Sequence, residues 1–511
     1  MRLNRRQFIA GGMAAPMLAR TPAKDGAYIG GARQFLDTMI EKGTDRYGRK
    51  HTPVFCLSLD PETYSPAKAP DKVDWKYRRN FEWLFRDYGY YWKSHLHSAN
   101  LIYDQGTMRA LYALTEVSGD KRYARAADAY LDFFLENCVS EQTGHFGWGE
   151  HVFYNVFTDY IIGGAFGVHS VNKFSYNHEF ERWTTIYDLF WPKSPEKTLA
   201  EIEAVYDYKI HDPETFINNR HSDYYSGRVT GDTLTFIKHS GLFAHAWTFA
   251  HSKTGDPKFQ QWARKAADLF WGYRDTRTNL VRGCVQRHDE PVAPEELAQL
   301  ALFLMRAYQW EPDQLYLDRS LAYLRAYHAH FMVGPGKYRK EVATDGTDKK
   351  PGRLAELWEG PLRMAKAAAL AYSLSGDATL LEMADDVVSQ YTPEMTFSSV
   401  VQRSLVSDEI EARNVALGTT IDLYEATGNR KYLDKAQVLA TDALRRFLYR
   451  GLLVSSMQLH PEGDKSARTK VYDARTGAGW LALNLIRLQR DTDATDAGRF
   501  RKFDRLERIY D

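Results

Sequence analysis

Hydrophobic and polar positions alternate with the period of a helix over most of this chain, and the helical runs come in pairs. A run ends at a Gly-containing turn and a second run follows, at Ser118-Gly119-Asp120, Thr254-Gly255-Asp256, Ser375-Gly376-Asp377 and Thr427-Gly428-Asn429. Four residues after each Gly stands a large apolar side chain (Tyr123, Phe259, Leu380, Tyr432), and eight after it an alanine (Ala127, Ala263, Ala384, Ala436). Gly supplies the left-handed end of the first helix, and Asp or Asn caps the second. The large residue and the alanine then share one face, where the small side chain lets a neighbouring helix approach. A degenerate fifth copy runs through Pro312, Tyr316 and Ser320, and flanking helices are predicted near 29–42 and 476–490. Between Gly119 and Gly255 there is room for one further hairpin and a large insertion.

This repeat predicts six or seven helical hairpins, either stacked as an open solenoid or closed into a ring. The return segments 139–240, 281–296, 333–362, 396–414 and 455–478 are long and irregular, which favours the ring. The arrangement resembles the (α/α) toroid of polysaccharide lyases and related carbohydrate enzymes. The fold class is therefore all-α: an (α/α)6–7 toroid, an incomplete barrel of hairpins with long active-site loops, over residues 24–490. A charged tail follows at 491–511. Toroids also host hydrolases and epimerases, so the fold by itself does not decide the chemistry.

Composition narrows the partners. The chain has 511 residues, 44% hydrophobic and 26% charged, which excludes a disordered or fibrous protein. Lys and Arg (67) nearly balance Asp and Glu (66), so no basic body is present to hold nucleic acid. Aromatic residues reach 14%, more than a core needs, and rings outside a core stack on ligands. Cys56, Cys138 and Cys284 are odd in number and lack C-x-x-C spacing, so neither a disulfide framework nor a zinc ribbon is expected.

Residues 1–23 read as an export signal. Arg5-Arg6 precede the short apolar stretch Phe8 to Ala19, and the Arg-Arg-x-Phe order resembles a twin-arginine leader, the route of proteins exported folded. No later apolar run is long enough to span a bilayer. The mature protein is expected in the periplasm or beyond, with no membrane partner once the leader is removed.

Chemistry concentrates in the insertion 139–240, which holds His145, His151, His169, His178, His211, His221 and His239. Its densest phrases are Gly147-Trp148-Gly149-Glu150-His151, Tyr176-Asn177-His178-Glu179 and Asn218-Asn219-Arg220-His221-Ser222-Asp223-Tyr224-Tyr225. The order Asn177-His178, then Arg220, then Tyr225 resembles the catalytic set of toroidal alginate and uronate lyases, of the kind grouped as polysaccharide lyase family 38. His221 beside Arg220 departs from that pattern.

The resemblance implies β-elimination on a uronate polymer of alginate or glucuronan type. Asn177 and Arg220 would neutralise the C6 carboxylate, His178 or His221 would assist as base, and Tyr225 or Tyr224 would be the acid. Where the C5 proton and O4 lie on one side of the sugar, a single tyrosine can serve both steps; where they are opposed, two groups are needed. The sequence leaves both open.

Substrate contacts are expected from Trp148, Glu150, His151, Asn219, Arg287, His288, Trp358 and Glu359, and from the rings Tyr91 and Trp92 in the aromatic and cationic stretch 75–92. No cofactor is expected. His95, His97, Glu150 and His151 are the nearest approach to a divalent-metal set, and read instead as polar lining of the ring mouth. Two other functions compete. One is a glycoside hydrolase on the same scaffold, drawing paired carboxylates from Glu150, Asp159, Glu179 and Glu359. The other is a non-catalytic glycan-binding ring.

Overall fold

The computed structural model describes residues 26–66, 97–163, 176–180, 185–229, 234–395, 409–458 and 468–493. The expected leader at 1–23, the residues Tyr91, Trp92 and His95, and the expected tail from 494 on lie outside the described residues.

All four glycine turns form as the repeat predicts. Gly119, Gly255, Gly376 and Gly428 adopt φ of 74°, 71°, 74° and 67°. Asp120, Asp256, Asp377 and Asn429 then accept the backbone N–H two residues on. In the degenerate copy Asp313 caps with Leu315 without a glycine. The large residue and the alanine after every Gly turn are buried.

The helices are α1 (Ala27–Lys42), α2 (Leu101–Ser118), α3 (Lys121–Asn137), α4 (Tyr187–Phe190) and α5 (Pro195–Ala204), the last running into a π-helical turn at Val205–Lys209. There follow α6 (Ile237–Thr254), α7 (Pro257–Tyr273), α8 (Pro294–Trp310), α9 (Gln314–Phe331) and α10 (Gly360–Ser375). The last four are α11 (Ala378–Gln390), α12 (Glu409–Thr427), α13 (Arg430–Phe447) and α14 (Ala478–Asp493), which continues past the expected start of the tail.

Helix character sorts these into two layers. α2 buries every residue from Leu101 to Leu114, as a helix surrounded by others must. Its partner α3 buries only the stripe Tyr123, Ala127, Tyr130, Leu131, Phe134 and Leu135. The inner layer runs α6, α8, α10, α12, α14, α2, each packed on the next, with α3, α7, α9, α11 and α13 outside. α1 packs outside α14, so the two ends of the described chain close the ring together. Between α2 and α6 the short α4 fills the wall. Asp188 takes a bidentate bond from Arg109 of α2 (3.0 and 3.2 Å), and Tyr187 packs on Phe249 of α6 at 5.9 Å. The chain is an (α/α) toroid: six helix pairs with a rudimentary seventh, among the described residues.

Each hairpin reverses the chain, so the inner helices run parallel. Their N-terminal ends share the rim that carries the return loops. Those loops are less irregular than their composition implies, because they pair as short ribbons. β1 (Ser58–Leu59), β2 (Ser98–Ala99), β3 (Val152–Asn155), β4 (Tyr160–Gly163), β5 (Asn177–His178) and β6 (Ser222–Asp223) come first. β2, β3 and β4 form one antiparallel sheet, and β5 pairs with β6.

Candidate functional site

The β5–β6 ribbon organises the mouth. Asn177 pairs with Asp223 and His178 with Ser222. Neighbouring side chains on a strand point to opposite faces. His178 and Ser222 therefore share one face, while Glu179 and His221, one step beyond each pair, share the other. The loop 147–151 crosses this ribbon closely enough for Glu150 N–H to donate to Glu179 O at 3.1 Å. Gly149 permits the crossing: its φ is +101°, and a Cβ there would lie 2.1 Å from that carbonyl oxygen.

On the front face, Glu179 Oε2 meets His221 Nε2 at 2.7 Å and His151 Nε2 at 3.2 Å. Its Oε1 lies 3.7 Å from Arg220 Nη1 and 3.7 Å from His239 Nε2, near the start of α6. Glu179 is fully buried, His221 is 16% exposed and Arg220 30%, so the group opens outward on the Arg220 side. Burial opposes the Glu179 charge, but hydrogen bonds from both histidines outweigh it and hold the carboxyl well below its ordinary pKa. Burial brings His221 down to about 4. His151 is buried as well, yet Glu150 and Glu179 raise its pKa above the usual value. One ligand atom from each of His151, Glu179 and His221 lies within 4.8 Å of the others. Two imidazoles and a carboxylate at that span fit a divalent transition ion.

A second trio, His145, His178 and Glu201, lies on the back face, fully buried. Its geometry is different. The two imidazoles stack at 4.3 Å and 13°, and each faces its own oxygen of Glu201: His145 Nδ1 at 3.0 Å, His178 Nε2 at 2.8 Å. Phe146 N–H and the Trp148 indole N–H donate to the same carboxylate, at 3.0 and 3.3 Å. His145 Nε2 accepts from Ser222 Oγ at 2.8 Å. Burial opposes the charge on Glu201, yet the two histidines more than offset it and its pKa falls to about 2; burial brings His178 to about 3. This is an anion saturated by N–H donors, with parallel rings that do not converge on one ion.

The expected site residues are distributed accordingly. Arg220 and His221 reach Glu179 on the mouth side, and the alternation puts Asn177 on that face too, whereas His178 turns to the back because it is one residue out of phase with Glu179. His178, fully buried against Glu201, is therefore not in place to take a proton from substrate. Trp148 is a core residue among Phe134, Phe146 and Phe190 rather than a sugar platform. Asn219 is buried, its Oδ1 accepting His221 N–H at 3.0 Å. Tyr224 is 3% exposed and Tyr225 43%, the latter edge-on to Tyr176 at the end of the ribbon. Burial, Tyr176 and Asp223 raise the Tyr225 pKa, so Arg220 does not activate it as a base.

Arg287 is exposed, and Phe236 links it to the cluster: Arg220 lies 5.2 Å and Arg287 5.4 Å from that ring. His288 is exposed on the same loop, while Trp358 and Glu359 sit on the loop before α10, Glu359 held by Lys340. Glu150 stands 3.8 Å from His151. His97 packs on Phe157 at 4.8 Å. The set that gathers around His151 is Glu179 and His221, rather than the His95, His97 and Glu150 grouping that came nearest to a metal set in the sequence.

Sequence reasoning passed over Glu201 and Lys209, and gave His239 no role beyond its place in the insertion. Lys209 Nζ is fully buried and donates to His178 O at 2.5 Å and Arg220 O at 2.7 Å. Burial brings its pKa down to about 7. The available signal was charge inside an apolar stripe: Thr198, Ile202 and Val205 place Glu201 and Lys209 on a buried helix face.

Fold and site together define an (α/α) toroid whose mouth holds a buried carboxylate between two histidines, with an arginine beside it. Comparison with known proteins adds a family likeness. Residues 69–298, which include the whole ribbon and both clusters, match the family of periplasmic pectate lyases. A pectate disaccharide-lyase of Dickeya dadantii (strain 3937) is 26% identical over 126 residues, 25% of this chain and 22% of that enzyme. The chain thus spans about a fifth of the length of this curated relative.

Solved structures that align over most of the chain include a cellobiose 2-epimerase from Bacillus thermoamylovorans B4167 (10% identity, 91% of this chain and 99% of that one, TM-score 0.46). Others are an unsaturated glucuronyl hydrolase specific for heparin (11%, 91% and 97%, 0.42) and an α-1,6-mannanase from Salegentibacter sp. HEL1_6 (10%, 90% and 98%, 0.42).

Proposed function

We propose that this chain is a periplasmic lyase that cleaves a uronate polysaccharide of pectate type by β-elimination, exported by the twin-arginine route. The observation that carries the proposal is the His151–Glu179–His221 group with Arg220 at its open side. It lies within the segment similar to periplasmic pectate lyases. That likeness moves the substrate from the alginate or glucuronan expected from the Asn-His-Arg-Tyr order to a galacturonate polymer.

β-Elimination requires the C6 carboxylate to be neutralised before the C5 proton becomes acidic. Arg220 presents a fixed cation and Asn177 an amide from the same face of the ribbon. His151, Glu179 and His221 would hold a divalent ion, which when bound supplies further positive charge to that carboxylate. In galacturonate the C5 proton and O4 are opposed, so acid and base are separate groups. Tyr225, whose raised pKa keeps its proton, is the proposed acid. His178 is turned away and His221 commits Nε2 to Glu179, so neither takes the base role expected for them from the Asn-His-Arg-Tyr order. The C5 proton passes to solvent at the open Arg220 side while Tyr225 protonates the leaving O4.

The mouth favours an anion in a second way. The N-terminal ends of α6, α8 and α10 face it, and none has a side-chain cap, whereas outer helices α3, α7, α9, α11 and α13 are all capped by Asp or Asn. The positive end of the helix dipole attracts negative charge. The hydrolase reading finds less support. Glu359 is ion-paired with Lys340, Asp159 accepts backbone N–H from Arg49 and Lys50, and Glu179 is clasped by two imidazoles. Among the described residues no helix is long and apolar enough to cross a membrane.

Incubation with pectate, alginate and glucuronan, followed by ultraviolet absorbance, tests the proposal. Pectate should yield a conjugated double bond. New reducing ends without absorbance would make the protein a hydrolase, and binding without cleavage a glycan-binding ring.

A further inference from the structure

We infer that the helical segment Pro195–Lys209 is a clamp that sets the geometry of the cation site, with Glu201 and Lys209 as its positioning residues. The inference rests on reading His151, Glu179 and His221 as that site.

The ribbon that carries Glu179 and His221 pairs only two residues per strand, too few to hold its own register. A one-residue slip of either strand would turn its ligand away from the other. The clamp grips each strand beside its ligand. Lys209 Nζ bonds the carbonyls of His178 and Arg220, the residues immediately before Glu179 and His221. Glu201 holds the side chain of His178 directly at 2.8 Å and that of Ser222 through His145. Main chain and side chain are thus tied on both strands by one helical segment.

The π turn is part of the device. Positions eight apart on an α-helix diverge by about 80° around its axis. The wider turn at Val205–Lys209 reduces that divergence and lets Glu201 and Lys209 reach the same ribbon. A buried ammonium whose hydrogen bonds, among the described residues, go to two carbonyls, one per strand, is a poor way to fill space, since apolar residues of similar volume are often at least as stable there. It is an effective way to specify which residues of two strands lie side by side.

The test is manganese(II) binding by calorimetry on the full chain, with folding checked by circular dichroism. Wild type should bind one ion per chain, and His221→Ala should abolish binding. Lys209→Met, and the milder Ser222→Ala should the first fail to fold, should weaken binding by about tenfold or more, the range for residues that orient metal ligands. Ser320→Ala removes a buried hydroxyl bonded to Ala301 O and Tyr316 O in the outer layer, and should lower stability without changing affinity. Equal affinity in wild type, Lys209→Met and Ser222→Ala, with His221→Ala inactive in binding, would overturn the clamp alone. Binding that survives in His221→Ala would overturn the cation site itself. Two ions per chain would overturn the clamp by placing a metal at His145, His178 and Glu201.

Discussion

Lys209→Met isolates the electrostatics of the clamp. In the unfolded chain a lysine titrates near 10.4, whereas burial holds Lys209 at about 7. Between those values the unfolded state binds more protons than the folded state, so stability rises with pH. Below pH 7 both states are charged and the folded state bears the full cost of the buried ammonium. Each pH unit well inside the window is worth about 1.4 kcal/mol, and from pH 7 to pH 9 the integrated gain is about 2 kcal/mol. A neutral amine retains two N–H groups, enough for the two carbonyls it holds. Methionine does not titrate, so the wild-type minus Lys209→Met difference in unfolding free energy should grow by about 2 kcal/mol over that interval. Urea unfolding at pH 7, 8 and 9 in the presence of a chelator measures it, and titrations common to both proteins cancel. A constant difference would mean that Lys209 stays charged at pH 9 and would refute the reasoning.

Arg220→Lys replaces a planar fork by a point charge. kcat/KM on pectate should fall about a hundredfold with little change in Tm, and undiminished activity would remove Arg220 from carboxylate neutralisation. Tyr225→Phe keeps the ring and deletes the hydroxyl. Turnover should drop by about two to four orders of magnitude with substrate affinity and fold retained, and unchanged turnover would exclude Tyr225 as the acid. Gly376→Ala places a Cβ in open space at φ +74°, so backbone strain alone should cost about 1 kcal/mol, seen as a lower Tm with activity intact at permissive temperature.

Much of the architecture was legible without coordinates. The Gly-Asp turns, the apolar residue four positions on and the alanine eight positions on are local requirements of a capped helix packed against a neighbour, and each is met where the repeat puts it. Of the site, the region and several residues were legible. Arg220, His221, His151 and Glu179 all belong to the three phrases singled out in the insertion, and they meet as one group.

The division of labour inside those phrases was not legible. His178 and Glu179 are adjacent in sequence and 180° apart in space, because a strand alternates its faces. A strand only two residues long gives no hydrophobic period from which to read the phase. Trp148 sits in the most glycine-rich phrase of the insertion and looks exposed on composition, yet an aromatic cluster from α3 and α4 encloses it. Glu201 and Lys209 sit far from both strands in sequence and gain their meaning only from where the π turn aims them.

What the sequence determined alone was the ring, its repeat and the loops in which chemistry would gather, since those follow from contacts between near neighbours. Which face of the ribbon each histidine presents, and which buried charge steadies it, was decided only by the tertiary structure, because those are pairings between segments that no local pattern encodes.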